Sequence, residues 1–228
     1  MRALGFDFGQ TLAELDFEFL ARRVRERGAT FDARAAAANS KSAWDIYGEK
    51  KNEGHALAWR AMIEALLTGG GVPPEASAEL GTWLWQEQPR HNLWRRPIPG
   101  MIELVRELKR AGTPIAIISN SEGHLAELVD ELGWSRDFDV VVDSGQLGID
   151  KPDARIFAHA CDALGVVTHE LVHVGDAWEA DVIGAVGAAA SAVWFDARHR
   201  ERRLPERVYG AGSALELREV LARLSLIS

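Results

Sequence analysis

Residues 2–16 read RALGFDFGQTLAELD, in which a short apolar run ends at the carboxylate of Asp7. An apolar run of this length, bounded by a polar residue, is typical of a buried strand in a parallel sheet. Ligands bind beyond the carboxyl ends of such strands. Asp7 is therefore a candidate functional residue, and Gly9, two positions later, offers no side chain to assist it.

Four further apolar runs alternate with amphipathic helical stretches. The runs are PIAIIS (114–119), DVVVD (139–143), LVHVGD (171–176) and SAVWFD (191–196). Helical patterns occupy residues 100–112, 123–134, 153–165, 177–190 and 213–224. This alternation predicts an α/β fold with a Rossmann-like, doubly wound, mainly parallel sheet that is covered by helices on both faces.

Residues 17–94 follow a different pattern. Helix formers dominate in residues 19–27, 55–67 and 76–87, and no stretch has a convincing strand pattern. We therefore predict a helical domain at 17–94 that is inserted into an α/β core domain made of residues 1–16 and 95–228.

Composition excludes several classes of function. The chain has 228 residues with 26 basic and 34 acidic side chains, a net charge of -8, and no basic run suited to a nucleic-acid backbone. No apolar segment approaches the roughly 20 residues of a membrane span, and the start does not resemble a signal peptide. We expect a cytoplasmic protein with no nucleic-acid or membrane partner, either a monomer or a homodimer.

Polar side chains follow the predicted strands where each strand ends. They are Asp7, Ser119 with Asn120, Asp143 and Asp176. Because the carboxyl ends of parallel strands meet at one edge of the sheet, we expect these side chains to lie close together.

Four stretches resemble, in order and spacing, the signature motifs of the haloacid dehalogenase superfamily of hydrolases. They are FDFGQTL with Asp7 and Thr11, IISNS with Ser119, DKPDARIF with Lys151, and VGDAWEAD with Asp176 and Asp181. The helical insertion corresponds to the cap domain that this family carries between its first and second motifs. The resemblance therefore covers nearly the whole chain.

The resemblance implies a role for each matched position. Asp7 would be the nucleophile, Ser119 and Asn120 would bind phosphate, and Lys151 would contact phosphate. Mg²⁺ would be held by Asp7, the backbone carbonyl of Gly9, Asp176 and Asp181. Thr11 would either hydrogen-bond phosphate or shape the turn after the first strand.

The chemistry of these residue types agrees with that interpretation. A carboxylate attacks well only when a cation neutralises the charge on both partners, and Mg²⁺ prefers oxygen ligands. We expect Gly175 to let the backbone turn sharply before Asp176. We also expect a helix to begin near Glu122, so that Ser119 and Asn120 face an anion at its N-terminus. Helix capping by Ser119 or Ser121 is the alternative.

Gly9 departs from the family pattern, which has a second aspartate at this position. Residues two apart on a strand point to the same side, so an aspartate there would serve as general acid and base beside Asp7. Its absence predicts slow hydrolysis of esters with poor leaving groups.

These features predict a Mg²⁺-dependent phosphatase that acts on a small phosphorylated metabolite through an aspartyl-phosphate intermediate. Three alternatives stay open at this point. The first is a 2-haloacid dehalogenase-like hydrolase, because a halide leaves without a proton. The second is a phosphonate C–C hydrolase with a Schiff-base lysine, for which the candidates are Lys41, Lys50 and Lys51. The third is a protein that binds a phosphate ligand without turnover.

Overall fold

The chain divides into two compact units. The computed structural model describes residues 2–50 and 53–227. One unit comprises Met1–Glu14 and Trp94–Ser228, and the other comprises Leu15–Leu93. The interpretation of the second unit as a cap domain stays a prediction.

The elements of the described ranges follow one another in this order. The strands are β1 (Ala3–Phe6), β2 (Ala13–Leu15), β3 (Trp94–Pro97), β4 (Ile115–Ser119), β5 (Val140–Asp143), β6 (Leu171–Gly175), β7 (Ser191–Phe195) and β8 (Val208–Ala211). The helices are α1 (Phe17–Glu26), α2 (Ala33–Ala38), α3 (Ser40–Lys50), α4 (His55–Gly69), α5 (Pro74–Glu87), α6 (Met101–Arg110), α7 (Leu125–Glu131), α8 (Ser144–Leu147), α9 (Ala154–Leu164), α10 (Gly184–Gly187) and α11 (Ala214–Arg223). None of the helices in these ranges has the length and apolar character that a membrane span requires.

A parallel sheet forms the centre of the larger unit. Its strand order is β5-β4-β1-β6-β7-β8, and every adjacent pair is parallel. The predicted Rossmann-like, mainly parallel α/β fold is therefore confirmed. The pair β2 and β3 forms a separate two-stranded sheet that the sequence pattern did not reveal.

The period-two alternation of each strand divides the core into two layers. Leu4 and Phe6 of β1 pack with α6, α7 and α11 on one face of the sheet. Ala3 of the same strand packs with α9 and α10 on the other face. Full burial of a side chain such as Leu or Phe contributes roughly 1.5–3 kcal/mol, so these two layers stabilise the sheet from both sides.

The helix predicted directly after β6 differs in form from the prediction. Residues 177–190 show a helical pattern, but Trp178–Ile183 forms a π-helical turn before α10 begins. The i→i+5 hydrogen bond from the backbone N–H of Val182 to the carbonyl of Ala177 defines this turn. Such turns occur frequently at functional sites, and this one carries Asp181.

The smaller unit is helical in its described residues apart from the end of β2. Helix α4 packs against both α3 and α5 and buries Trp59, Met62 and Ile63. The sequence pattern predicted α1, α4 and α5 but not α2 and α3. Asp32 is the N-cap residue of α2, because its carboxylate accepts hydrogen bonds from the backbone N–H groups of Arg34 and Ala35.

Candidate active site

The carboxyl edge of the central sheet brings the predicted residues together. Strand β1 lies between β4 and β6, so Asp7, which follows β1, is flanked by Ser119 at the end of β4 and Asp176 after β6. The hydroxyl of Ser119 donates to Asp7 Oδ1 at 2.9 Å. Carboxylate oxygens of Asp7, Asp176 and Asp181 all lie within 4.8 Å of one another.

Lys151 links two of these carboxylates. Its side chain is only 2% exposed. The ammonium Nζ donates to Asp7 Oδ1 at 2.7 Å, to Asp181 Oδ1 at 2.6 Å and to the backbone carbonyl of Ile118 at 2.8 Å. Three acceptors satisfy all three N–H groups of the ammonium, which is therefore fixed between the two acids.

The pKa shifts follow from burial and from this pairing. Burial acts to lower the pKa of Lys151, but the charges of Asp181 and Asp7 outweigh it and raise the pKa above its usual value. Burial acts to raise the pKa of Asp181, yet Lys151 and the hydrogen bond with His173 lower it. Lys151 is therefore a permanent cation and Asp181 a permanent anion at neutral pH.

Burial disfavours the charged forms of the other two acids, and repulsion between the carboxylates adds to this effect. Burial raises the pKa of Asp7, and although Lys151 opposes this rise, Asp181 adds to it. Burial also raises the pKa of Asp176 well above its usual value, with further contributions from Asp181 and Asp7. Three carboxylates face one ammonium group, so a second cation would relieve the repulsion between them.

Asp181 is held by hydrogen bonds on both carboxylate oxygens. In addition to Lys151, Oδ1 contacts His173 Nε2 at 3.0 Å, and Oδ2 accepts the backbone N–H of Ala177 at 2.9 Å. Gly175 makes room for this carboxylate, because a Cβ atom there would lie 2.2 Å from Asp181 Cγ. The sharp turn expected at Gly175 stays a prediction, and because the φ of Gly175 lies outside the left-handed region, no unusual backbone angle requires glycine there. The glycine is needed for a close approach instead.

Asn120 positions the backbone of Lys151. Its amide Nδ2 donates to the Lys151 carbonyl at 3.0 Å, and its Oδ1 accepts the Lys151 backbone N–H at 2.8 Å. Both ends of the amide are thus engaged with the loop that carries the lysine. The predicted contact between Asn120 and substrate stays a prediction, and this clamp is a role that sequence reasoning missed.

The helix after Ser119 starts later than predicted. It begins at Leu125 rather than near Glu122, and neither Ser119 nor Ser121 caps it. The carboxylate of Asp143 accepts hydrogen bonds from the backbone N–H groups of Gly123, in the intervening turn, and of Leu125, at the start of the helix, the latter at 2.9 Å. Asp143 therefore holds the turn, and Ser119 is free of the helix and directed to Asp7.

Gly9 and Thr11 lie on the loop after β1. A Cβ atom at Gly9 would lie 3.5 Å from Cδ1 and 3.7 Å from Nε1 of Trp94, which are ordinary contacts. The side chain of Thr11 is fully buried, and in the described part of the chain its hydroxyl has no hydrogen-bond partner. The structure thus does not place Thr11 against Asp7, and its predicted role stays a prediction.

His173 is a site residue that sequence reasoning missed. It lies in the middle of β6, is fully buried, and its ring packs edge-on against Phe157 with a centroid distance of 5.2 Å. The available signal was a single histidine in the otherwise apolar run LVHVG. A buried polar side chain needs a hydrogen-bond partner, and His173 finds it in Asp181.

Comparison with known proteins identifies relatives that share this arrangement of elements. A family model described as haloacid dehalogenase-like hydrolase matches residues 1–189. In solved structures, the chain is similar to the HAD-hydrolase YfnB from Bacillus subtilis bound to magnesium, with a TM-score of 0.70 and 20% identity over 96% of this chain and 98% of that one. At that identity the likeness concerns the fold.

Two curated proteins are similar in sequence. One is a phosphoserine phosphatase from Thermus thermophilus, 36% identical over 138 residues, which are 60% of this chain and 53% of that protein. The other is the pyrimidine 5'-nucleotidase YjjG from Escherichia coli, 33% identical over 132 residues, which are 56% of this chain and 57% of that protein. The matched region spans about half the length of each of these two relatives.

Proposed function

The chain belongs to the haloacid dehalogenase-like hydrolase family, and on that basis we propose that it is a metal-dependent phosphatase of a small phosphorylated compound. The observation that supports this most directly is the Asp7 carboxylate, held by Ser119 and Lys151 within a cluster of three acids. The names of the two curated relatives, a phosphatase and a nucleotidase, support a phosphate ester as the substrate class.

Asp7 is the proposed nucleophile because one of its oxygens is held and the other is not. Ser119 and Lys151 both donate to Oδ1. Among the described residues, none donates a hydrogen bond to Oδ2, which leaves this oxygen to meet a ligand. Burial raises the pKa of Asp7 and so disfavours its charged form, and a cation beside the carboxylate would keep it ionised for attack.

The donor set fits a magnesium ion. Asp7 and Asp176, whose charged forms a cation would stabilise, offer oxygen ligands, which Mg²⁺ prefers. Asp181 already accepts three hydrogen bonds, so we assign it to Lys151 and to the waters of the ion. The backbone carbonyl of Gly9 completes the proposed set. When bound, magnesium neutralises charge on Asp7 and on the phosphate.

The reaction then follows from the positions of the side chains. The Asp7 carboxylate forms a bond to phosphorus while the bond between phosphorus and the leaving oxygen breaks. Lys151 Nζ and Ser119 Oγ, at 2.7 and 2.9 Å from Asp7 Oδ1, orient the Asp7 carboxylate for this attack, and the positive charge of Lys151 attracts the phosphate. Water then cleaves the aspartyl phosphate, which releases phosphate and restores the carboxylate.

The metal requirement tests this proposal. We expect hydrolysis of 4-nitrophenyl phosphate to fall to background in excess chelator and to return when Mg²⁺ is added. The variant Asp176→Asn should require a higher Mg²⁺ concentration for half-maximal activity, because it removes one anionic ligand. Full activity in excess chelator would contradict the proposal, and halide release from a 2-haloacid under those conditions would favour the dehalogenase alternative.

The absence of a side chain at Gly9 leads to a second prediction, which concerns how activity depends on the leaving group of the ester. The φ of Gly9 lies outside the left-handed region, and a Cβ atom there would meet Trp94 only at ordinary van der Waals distances, so the backbone permits a side chain at this position. We expect Gly9→Asp to raise kcat for propyl phosphate by about tenfold or more, within the usual range of acid-base catalysis, and to change little with 4-nitrophenyl phosphate.

The matched control is Gly9→Asn, which has the same size but no carboxylate. An equal gain in both variants would show that bulk rather than proton transfer is responsible. Absence of any gain in a folded Gly9→Asp variant that binds Mg²⁺ would contradict the hypothesis that the lack of a general acid and base at position 9 limits the hydrolysis of alkyl phosphates.

The described residues do not support the alternative of a phosphonate C–C hydrolase, which needs an activated lysine that forms a Schiff base. The side chain of Lys41 is 90% exposed and pairs with Asp45. An exposed ammonium lacks the desolvation that activates a Schiff-base lysine. Lys50 ends α3 and is only partly buried, and Lys51 lies outside the described residues.

A further inference from the structure

Two tryptophan rings pack together beside the strand end that carries Asp176. The indole N–H of Trp194, in β7, donates to the backbone carbonyl of Asp176 at 2.9 Å. Trp178, two residues after Asp176, meets the Trp194 ring with a centroid distance of 4.8 Å and an interplanar angle of 69°. Both rings are therefore fixed relative to the proposed metal ligand.

Two arginines from the loop after β7 lie over these rings. Arg202 Cζ is 4.4 Å from the centroid of the Trp178 ring and 5.7 Å from that of Trp194. Arg198 Cζ is 6.0 Å from the centroid of Trp194, and its guanidinium is bound to the carboxylate of Asp196. Hydrogen bonds to Asp196 raise the pKa of Arg198, and the charge of Asp176 adds to this rise.

Arg202 differs from Arg198 and Arg200 in its ion pairing. Arg198 pairs with Asp196, and Arg200 pairs with Glu216. Arg202 is exposed, and within residues 2–50 and 53–227 no carboxylate pairs with it. A guanidinium that stacks on aromatic rings keeps its N–H edge open, and this planar edge suits a carboxylate or a phosphate. Stacking also restricts the side chain, which lowers the entropy lost on binding.

The position of this loop relates it to the substrate. It follows the carboxyl end of β7, at the same sheet edge as Asp7, Ser119 and Asp176. A surface arginine stacked on a tryptophan is common in proteins and by itself indicates no ligand. Here the stack is also hydrogen-bonded to the backbone of Asp176, which ties Arg202 to the strand end that carries the proposed metal ligand.

We propose that Arg202, supported by Trp178 and Trp194, binds a second oxyanion of the substrate, a carboxylate or a phosphate other than the one that is hydrolysed. This inference rests on the proposed phosphatase function. It assigns the substrate to compounds with two anionic groups. The acidic cluster repels anions, and a fixed positive charge beside it selects substrates that carry the second group.

The test compares aryl phosphates that differ only in the second anion. Phenyl phosphate, which has no second anion, is the reference. The 3- and 4-carboxyphenyl phosphates add a carboxylate, and resorcinol bisphosphate adds a second phosphate. The wild type should show a KM about tenfold lower for at least one doubly anionic ester, the change expected from one charge-assisted contact. The ester that benefits identifies the anion.

Arg202→Met should remove this advantage, with little change in kcat and no change in KM for phenyl phosphate. Arg203→Met is the matched control, since Arg203 is exposed and in the described part of the chain stacks on neither ring. Equal KM values for all esters in the wild type would contradict the inference, as would an advantage that Arg202→Met retains or that Arg203→Met also loses. If the wild type with Mg²⁺ hydrolyses none of the esters, the proposed function itself fails, and the inference with it.

Discussion

Replacement of Asp7 with asparagine is expected to lower kcat for 4-nitrophenyl phosphate by roughly four orders of magnitude or more, the scale on which loss of a covalent nucleophile acts. The fold should survive, because Ser119 and Lys151 both donate to Oδ1, and the amide oxygen of asparagine can accept both hydrogen bonds. Lys151 also keeps Asp181 as its counter-ion. The change therefore removes the charge and nucleophilicity and leaves the surrounding geometry.

Steady-state kinetics and thermal unfolding measure the two parts of this expectation. Asp139→Asn serves as the control, because Asp139 pairs with Lys109 at the surface and should not affect turnover. Activity of a folded Asp7→Asn variant within about tenfold of the wild type would contradict the assignment of Asp7 as the nucleophile.

Replacement of Lys151 with methionine is expected to lower the free energy of unfolding by about 3 kcal/mol and to reduce activity to background. The lysine is buried and bridges Asp7 and Asp181, so its removal leaves two buried carboxylates with no ammonium between them. Such an uncompensated charge is far more costly than the loss of an exposed ion pair. Added Mg²⁺ should restore part of the stability, since it binds the folded acidic cluster.

Denaturant unfolding of Lys151→Met and of Lys109→Met makes the comparison. Lys109 pairs with Asp139 and is 31% exposed, so its replacement should change the free energy of unfolding by less than about 1 kcal/mol. Equal losses in the two variants would show that the buried network does not stabilise the protein as described.

The sequence was sufficient to predict five of the six strands of the central sheet, because apolar runs and polar strand ends are local features. Asp7, Ser119 and Asp176 each end such a run, and the common edge of parallel strands explains why they meet. Strand β8 escaped prediction because it has four residues, one of them Gly210, and becomes a strand through its pairing with β7. Helices α2 and α3 lack a continuous apolar stripe, and packing of α3 against α4 compensates for it.

The contacts inside the site were beyond local reasoning. Lys151 is 144 positions from Asp7 and 31 from Asn120, so their pairing depends on how the strands and loops assemble. The partner of His173 lies on a π-helical turn, which the pattern of residues 177–190 does not distinguish from an α-helix. The stack of Arg202 on Trp178 joins the loop after β7 to the π-helical turn after β6, and only the sheet brings these segments together.

If Asp7 is the nucleophile, the phosphoryl group is transferred to its carboxylate, and the aspartyl phosphate can be detected directly. Wild-type protein is mixed with 4-nitrophenyl phosphate and Mg²⁺, quenched in acid within the first turnover, and digested for mass spectrometry. Because Gly9 provides no general base to hydrolyse the intermediate, we expect it to accumulate. We expect a burst of nitrophenol release and a phosphorylated peptide with the modification on Asp7. Steady turnover with neither a burst nor a phosphorylated Asp7 would contradict the assignment of Asp7 as the nucleophile.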